Sequence, residues 1–410
     1  MTSNPKQPSI LSAPGARALL GSSILARLPF AMFSLALLVH AHEVTGSYAI
    51  AGLVTGAYAV ASAISAPMLG AVVDRRGQTP VLVAGSAVTA GLLVADGLLG
   101  SGAPAPLLVV LGAATGISTP PLAACVRSLL PAIAPDPGRL PALFALESTV
   151  LEVTFVAGPP LALGLGSVWS SGGALIVCGL VILGGTLAFA AQPASRRWRP
   201  EPVSSPRRGG SLRAPAMRTL VAISFGTGTV FGATEVGVTA AAHALGAATA
   251  AGPLLGLWGA GSLIGGMIAT RLGGGARDAR GLIPLLAALA ITHGALILTT
   301  GSVVAAAVVI TLAGATIAPT ASSMYAMVDA AAPAGTRTEA YSWLATASLV
   351  GASLGMGAAG ALAQHASASA VFALVGVAGC VAALAAVIGS ERLPATIASG
   401  LSGESGCIEA

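Results

Sequence analysis

Charge is what this chain has least of. Of 410 residues, 19 are Lys or Arg and 14 are Asp or Glu, 8% in all. Soluble domains are about a quarter charged, so these side chains cannot cover a water-facing surface of this length. Lysine is almost missing: Lys6 is the only one. Cysteine is scarce too, with Cys125, Cys178, Cys380 and Cys407 too far apart for metal or redox spacing. There is no P-loop, no metal-binding His-Glu pattern and no nucleophile elbow, so ATP hydrolysis and the common hydrolytic chemistries lack their motifs. No cofactor and no metal is expected. The net charge of +5 would raise nucleic acid as a partner for a soluble protein. In so apolar a chain it reports membrane orientation instead, and no nucleic-acid partner is expected.

What is present is apolar length. Hydrophobic residues make up 55% of the chain, and the mean hydropathy is +0.88. A bilayer core of about 30 Å takes about 20 apolar residues as helix. Twelve stretches qualify, the first from about Leu19 to Val39 and the last from about Val371 to Ile388. Barrel strands would be short and alternating, and these are neither. No cleavable leader is expected, because no cleavage-like site separates the first apolar run from the rest of the chain.

The arginines then sort the connections. Arg17 precedes the first span. Arg75 and Arg76 lie in the second connection, Arg127 and Arg139 in the fourth, Arg337 in the tenth. The sixth carries seven, from Arg196 to Arg218, and Arg271, Arg277 and Arg280 lie in the eighth. The odd connections, such as HAHEVTG and GSGAP, contain none. The positive-inside rule therefore predicts both termini and every even connection in the cytoplasm.

The Pro-, Gly- and Ser-rich stretch after Gln192 reads as a linker between two halves of six spans. The boundaries are 1–192 for the first bundle, 193–218 for the linker and 219–410 for the second. Weak similarity recurs in order: Gly70 to Gly77 can be laid on Gly266 to Gly273, and Pro120 and Arg139 on Pro319 and Arg337. Six plus six in one orientation makes a parallel repeat, two bundles related by a pseudo-two-fold axis along the membrane normal.

The second connection reads GAVVDRRGQ. Gly70, Asp74, Arg75 and Gly77 resemble the G-x-x-x-D-R-x-G-R/K signature of the major facilitator superfamily, with Gln78 where a basic residue is usual. The resemblance covers nearly the whole chain and implies an all-α integral membrane fold of twelve helices. It further implies that Asp74 faces the start of the eleventh helix, near Glu339, with Arg127 as its side-chain partner. Together these residues would latch the cytoplasmic side. Span five carries Gly158 and Pro159, similar to the Gly-Pro signature of proton-coupled exporters in that superfamily. The arginine such exporters often carry in helix four is absent, and Gly112 stands there.

Charges inside spans are costly and should face a cavity or a partner. They are Arg27 in span one, Glu147 and Glu152 in span five, and Glu235 in span seven, with Asp96 near an outer end. An Arg27–Glu152 pair is plausible, either to neutralise two buried charges or to bind substrate or protons. Glu235 and Trp343 are further cavity candidates, and Glu147 is placed in the cytoplasmic gate with Arg139. His293 can relay a proton or pack. The expectation is a monomeric secondary transporter in the cytoplasmic membrane, moving a small amphipathic drug or metabolite, with export and proton coupling favoured. An uptake permease, a membrane-embedded enzyme and a non-transporting receptor remain alternatives.

Overall fold

The computed structural model describes residues 16–134, 136–199 and 210–394. Among the singled-out residues, Lys6, Arg207, Arg208, Cys407 and the Pro159 side chain lie outside the described ones. Twelve helices are long and apolar enough to cross a membrane. They are α1 (Arg17–Thr45), α2 (Tyr48–Arg76), α3 (Gln78–Gly97), α4 (Ala105–Ile133), α5 (Leu140–Val168) and α6 (Ser171–Ala190). After the linker come α7 (Pro215–Ala244), α8 (Ala248–Arg271), α9 (Ala279–Thr299), α10 (Val303–Ala331), α11 (Arg337–His365) and α12 (Ala368–Ile388). No strand occurs among the described residues.

Two spans are broken, at matching places in the halves. α4 is interrupted at Thr119–Pro121 between helices Ala105–Ser118 and Leu122–Ile133. Consecutive prolines supply no N–H there and push the preceding residue out of the helical region. α10 is interrupted between Gly314 and Ile317.

Within lipid, apolar area does not drive helices together, so close backbone approach must contribute instead. Paired glycines four residues apart provide it. A Cβ at Gly112 or Gly116 of α4 would fall within 2.8 Å of the Val54 or Tyr58 carbonyl of α2. Gly261 and Gly265 of α8 press equally close on Thr311 and Ala315 of α10, and Gly228 and Gly232 of α7 on Ser348 and Ala352 of α11.

The apolar packing falls into three clusters. One belongs to the first half alone, around Phe33, Leu37, Val54, Leu93 and Leu175. One belongs to the second half alone, around Val230, Leu254, Leu289, Phe372 and Val375. The third draws on both halves at the linker end, joining Leu82, Leu129 and Phe144 to Met217, Met327 and Tyr341. Among the described residues, the buried apolar cluster that draws on both halves lies at the linker end.

Candidate functional site

Two seams close the linker end. In the first, α2 meets the start of α11. Asp74 is buried at 6% exposure. Its Oδ1 accepts the Thr338 N–H at 3.1 Å and its Oδ2 the Glu339 N–H at 2.9 Å. These are free donors of the first turn, where the helix dipole also favours an anion. Gly70 lies one turn back. A methyl group there would stand 2.9 Å from Glu339 Cα and the Thr338 oxygen, so only hydrogen lets the helices meet. Gly77, at φ +94°, makes the turn into α3. Arg75 and Arg76 are exposed.

Gln78 stands where the superfamily signature has a basic residue. It is buried, and its amide donates to Ser128 Oγ at 2.9 Å and to the Cys125 carbonyl at 3.1 Å. Thr338 Oγ1 reaches the same Ser128 oxygen at 3.4 Å. A neutral relay therefore ties α3, α4 and α11 beneath Asp74. Glu339 in turn accepts the Ser211 N–H at 3.0 Å and its hydroxyl at 3.1 Å, which docks the end of the linker on α11.

The second seam joins α5 to α8. Gly274 packs on Pro141, Gly266 on Thr149 and Gly259 on Val156. Arg277 donates to the Gly138 carbonyl at 2.6 Å. Thr270, at the position equivalent to Asp74, directs its hydroxyl to Gly266 of its own helix. A side chain at this position therefore reaches the other half's helix start on one seam and not on the other.

Between the seams lies a sealed ion cluster. Glu147 Oε1 is 2.5 Å from an Arg27 nitrogen, and its Oε2 is 3.1 Å from Arg127 Nε. Exposure is 2% for Arg27, 3% for Arg127 and 0% for Glu147. Arg27 also donates to the Ser23 carbonyl and hydroxyl, at 3.3 and 3.2 Å. The Arg127 guanidinium sits 3.7 Å from the ring centroid of Tyr325 on α10. Phe144 and Tyr341 surround that ring, at centroid distances of 6.5 and 6.2 Å. Two cations on one carboxylate leave a residual positive charge, and the ring face supplies electron density to it across the halves.

Two pairings and one placement differ from those expected from the sequence. Arg27 pairs with Glu147, not Glu152, and in this conformation it lines no open cavity. Arg127 lies well inside α4 and reaches Glu147 and Tyr325, while its neighbour Ser128 contacts the Asp74 seam. Trp343 donates to Glu339 at 3.4 Å, which puts it in the linker-end layer rather than mid-bundle.

Other candidates fall as follows. Glu152 is half-buried and faces the Ser262 hydroxyl of α8 without closing a hydrogen bond to it. Glu235 is exposed, one turn beyond Phe231 on the same side of α7. Arg139 ends the turn before α5, and Gly158 packs on Ala31 of α1. His293 is fully buried, with Nε2 3.1 Å from Trp258 Nε1 and Nδ1 2.9 Å from the Leu289 carbonyl. An indole N–H only donates, so Nε2 accepts and Nδ1 carries the proton. Both nitrogens are committed, and His293 is a packing residue. The aromatic box on Arg127 escaped the sequence reading, although two of only four tyrosines belong to it.

Comparison with known proteins settles the family. The Major Facilitator Superfamily profile matches residues 19–311. The chain belongs to the Major Facilitator Superfamily. Its family and its twelve apolar helices make it a membrane transporter rather than an enzyme, embedded in a lipid bilayer. Two crystal structures of a bacterial homologue of the iron transporter ferroportin, both outward-facing and one soaked with iron, share the fold. Their TM-scores are 0.73 and 0.71 at 18% and 16% identity, each covering 92% of this chain and 99% of theirs. An uncharacterized MFS-type transporter, y4rN of Sinorhizobium fredii (strain NBRC 101917 / NGR234), is 30% identical over 161 residues. That match spans 38% of this chain and 39% of the relative.

An alternating-access cycle would require the α2–α11 seam to close and reopen. Gly70→Ala should prevent full closure, because the added methyl meets backbone rather than a flexible side chain. Overpacking costs about 1–3 kcal/mol, enough to deplete the closed population about tenfold. Spin labels at the exposed positions Arg76 and Ala334 should then show a longer-distance population by pulsed electron resonance. An unchanged distance distribution would refute the close-approach role.

Proposed function

We propose that this protein is a monomeric secondary active exporter of small amphipathic solutes, driven by protons across the cytoplasmic membrane. The linker end faces the cytoplasm in this reading, because the basic connections gather there. Residues 1–192 and 219–410 rock against each other about the shared core. The observation that carries the proposal is the arrangement of apolar packing. Each half has its own core away from the linker, and the cluster common to both lies at the linker end. This packing supports the reading of a conformation closed on one side, with Asp74 on α11 and the aromatic box on Arg127 as its proposed holding contacts.

Glu152 is the proposed proton carrier. It belongs to the first half, faces Ser262 of the second, and makes no salt bridge within the Arg27–Glu147–Arg127 cluster. A carboxylate between moving halves can be protonated in one state and released in the other. Among the described residues no three His, Cys, Asp or Glu side chains gather to hold an ion.

Proteoliposomes with an imposed pH gradient test the proposal, using the amphipathic dye ethidium as probe. The wild type should accumulate dye against its gradient. Glu152→Gln should lose uphill accumulation and keep downhill exchange. Gradient-independent flux in the wild type would remove proton coupling, and normal uphill transport by Glu152→Gln would remove this carboxylate from it.

A further inference from the structure

A groove of about 580 Å³ lies outside the seams and the ion cluster, between the start of α7 and the end of α12. One wall is a helical stripe of α7, and the other is the last turn of α12 with the turn that follows it, which carries Gly389 and Arg392. Pro215, Arg218, Thr219 and Ala222 stand at i, i+3, i+4 and i+7 on α7, and Ala385, Ile388, Gly389 and Arg392 repeat that spacing at α12. α7 leads away from the linker end and α12 returns to it. The two walls therefore run antiparallel, with Arg218 and Arg392 toward the mouth and Ala222 and Ala385 at the deep end. Gly389 lacks a side chain where a Cβ would strike Thr219, which keeps the helices close behind the groove.

Two further observations define the occupant. Both guanidiniums are exposed, and neither is paired by a carboxylate among the described residues. Glu391 is exposed beside Arg392. The deep end joins the outer face of α12, where Val377, Val381, Leu384 and Ile388 form an exposed stripe at 55–68% exposure. A stripe of that kind on a spanning helix faces lipid tails. The groove thus opens sideways into the bilayer and carries its cations at the depth of the headgroups.

We infer that the α7–α12 groove binds one anionic phospholipid. The phosphodiester lies between Arg218 and Arg392, and an acyl chain runs along Ala222, Ala385 and Ile388. Bidentate guanidinium contacts suit a phosphodiester. A resident lipid here wedges the first turn of α7, which comes directly after the linker. Headgroup charge would then bear on the helix that leads the second half.

Native mass spectrometry of the full-length detergent-solubilised protein tests this, with phosphatidylglycerol and phosphatidylcholine of matched chains as probes. One phosphatidylglycerol should be retained about 25-fold more tightly than phosphatidylcholine, at roughly fivefold per arginine. Arg218→Gln with Arg392→Gln should erase that preference while the melting temperature in detergent stays unchanged. Ala222→Trp, which fills the deep end, should reduce retention of both lipids with the arginines intact. Equal retention of the two lipids, a preference that survives the double substitution, or displacement of the bound lipid by millimolar inorganic phosphate would each overturn the inference.

Discussion

Glu147→Ala should largely abolish recovery of folded protein from membranes. The carboxylate is fully buried and holds two guanidiniums, one on each oxygen. Removing one partner of a buried pair costs about 3–5 kcal/mol, because the remaining charge stays desolvated. Here two charges are left, against a total stability on the order of 5–15 kcal/mol. The Tyr325 ring still covers Arg127, but a desolvated cation–π contact contributes about 2 kcal/mol or more and brings no counter-charge to either guanidinium. Glu147→Gln should be milder and still harmful, since its NH2 group must face one of two donors. Pairing Glu147→Gln with Arg27→Met should restore much of the loss. It leaves one cation with the amide oxygen and the aromatic ring. Size-exclusion profiles and melting curves of extracted protein give the expected order: wild type, double variant, Glu147→Gln, Glu147→Ala. A Glu147→Ala protein melting within a few degrees of wild type would show that the cluster is not a structural keystone.

The same cluster shows where sequence reading stops. Twelve spans, the linker and the α2 signature come from apolar length, arginine placement and residue identity, which are properties of the chain itself. Pairing between helices is a matter of rotation and register. Glu147 and Glu152 are five residues apart on α5, which separates them by about 140° of rotation and about 7.5 Å of rise. One therefore faces α1 and α4 and the other faces α8. Nothing in the sequence of α1 says which carboxylate Arg27 will meet.

Arg127 and Ser128 repeat the lesson at single-residue scale. Adjacent helical positions point about 100° apart. Ser128 meets Thr338 and Gln78, and Arg127 turns away to Glu147. The family signature located the seam but not which neighbour would enter it. A boundary error contributed as well, because α4 runs on to Ile133 past its break, placing Arg127 inside the helix. Trp343 obeys the opposite logic. It lies four residues after Glu339, hence on the same face and near the same end.

The latch offers the sharpest separation of gating from folding. Asp74→Asn should leave the protein folded and shift it toward opening at the linker end. Asp74 uses both oxygens on backbone donors of α11. Asparagine has one carbonyl oxygen, and its NH2 would confront the second donor. The charge that complements the first turn is lost as well. A hydrogen bond to an ionised group contributes about 1.5–3 kcal/mol, so the closed population should fall about tenfold to a hundredfold. Ser342 lies within the seam at 2% exposure, and Ser342→Cys in a background without the native cysteines serves as reporter. A membrane-impermeant maleimide supplied at the linker face should label that cysteine faster in Asp74→Asn by a similar factor. Arg76→Gln should not accelerate labelling, because Arg76 is exposed outside the seam. Melting curves of the two variants should coincide, since the shared core around Met327 and Tyr341 does not depend on Asp74. If Asp74→Asn labels at the wild-type rate, the α11 contact merely caps a helix, and closure must reside in the Arg127–Tyr325 stack instead.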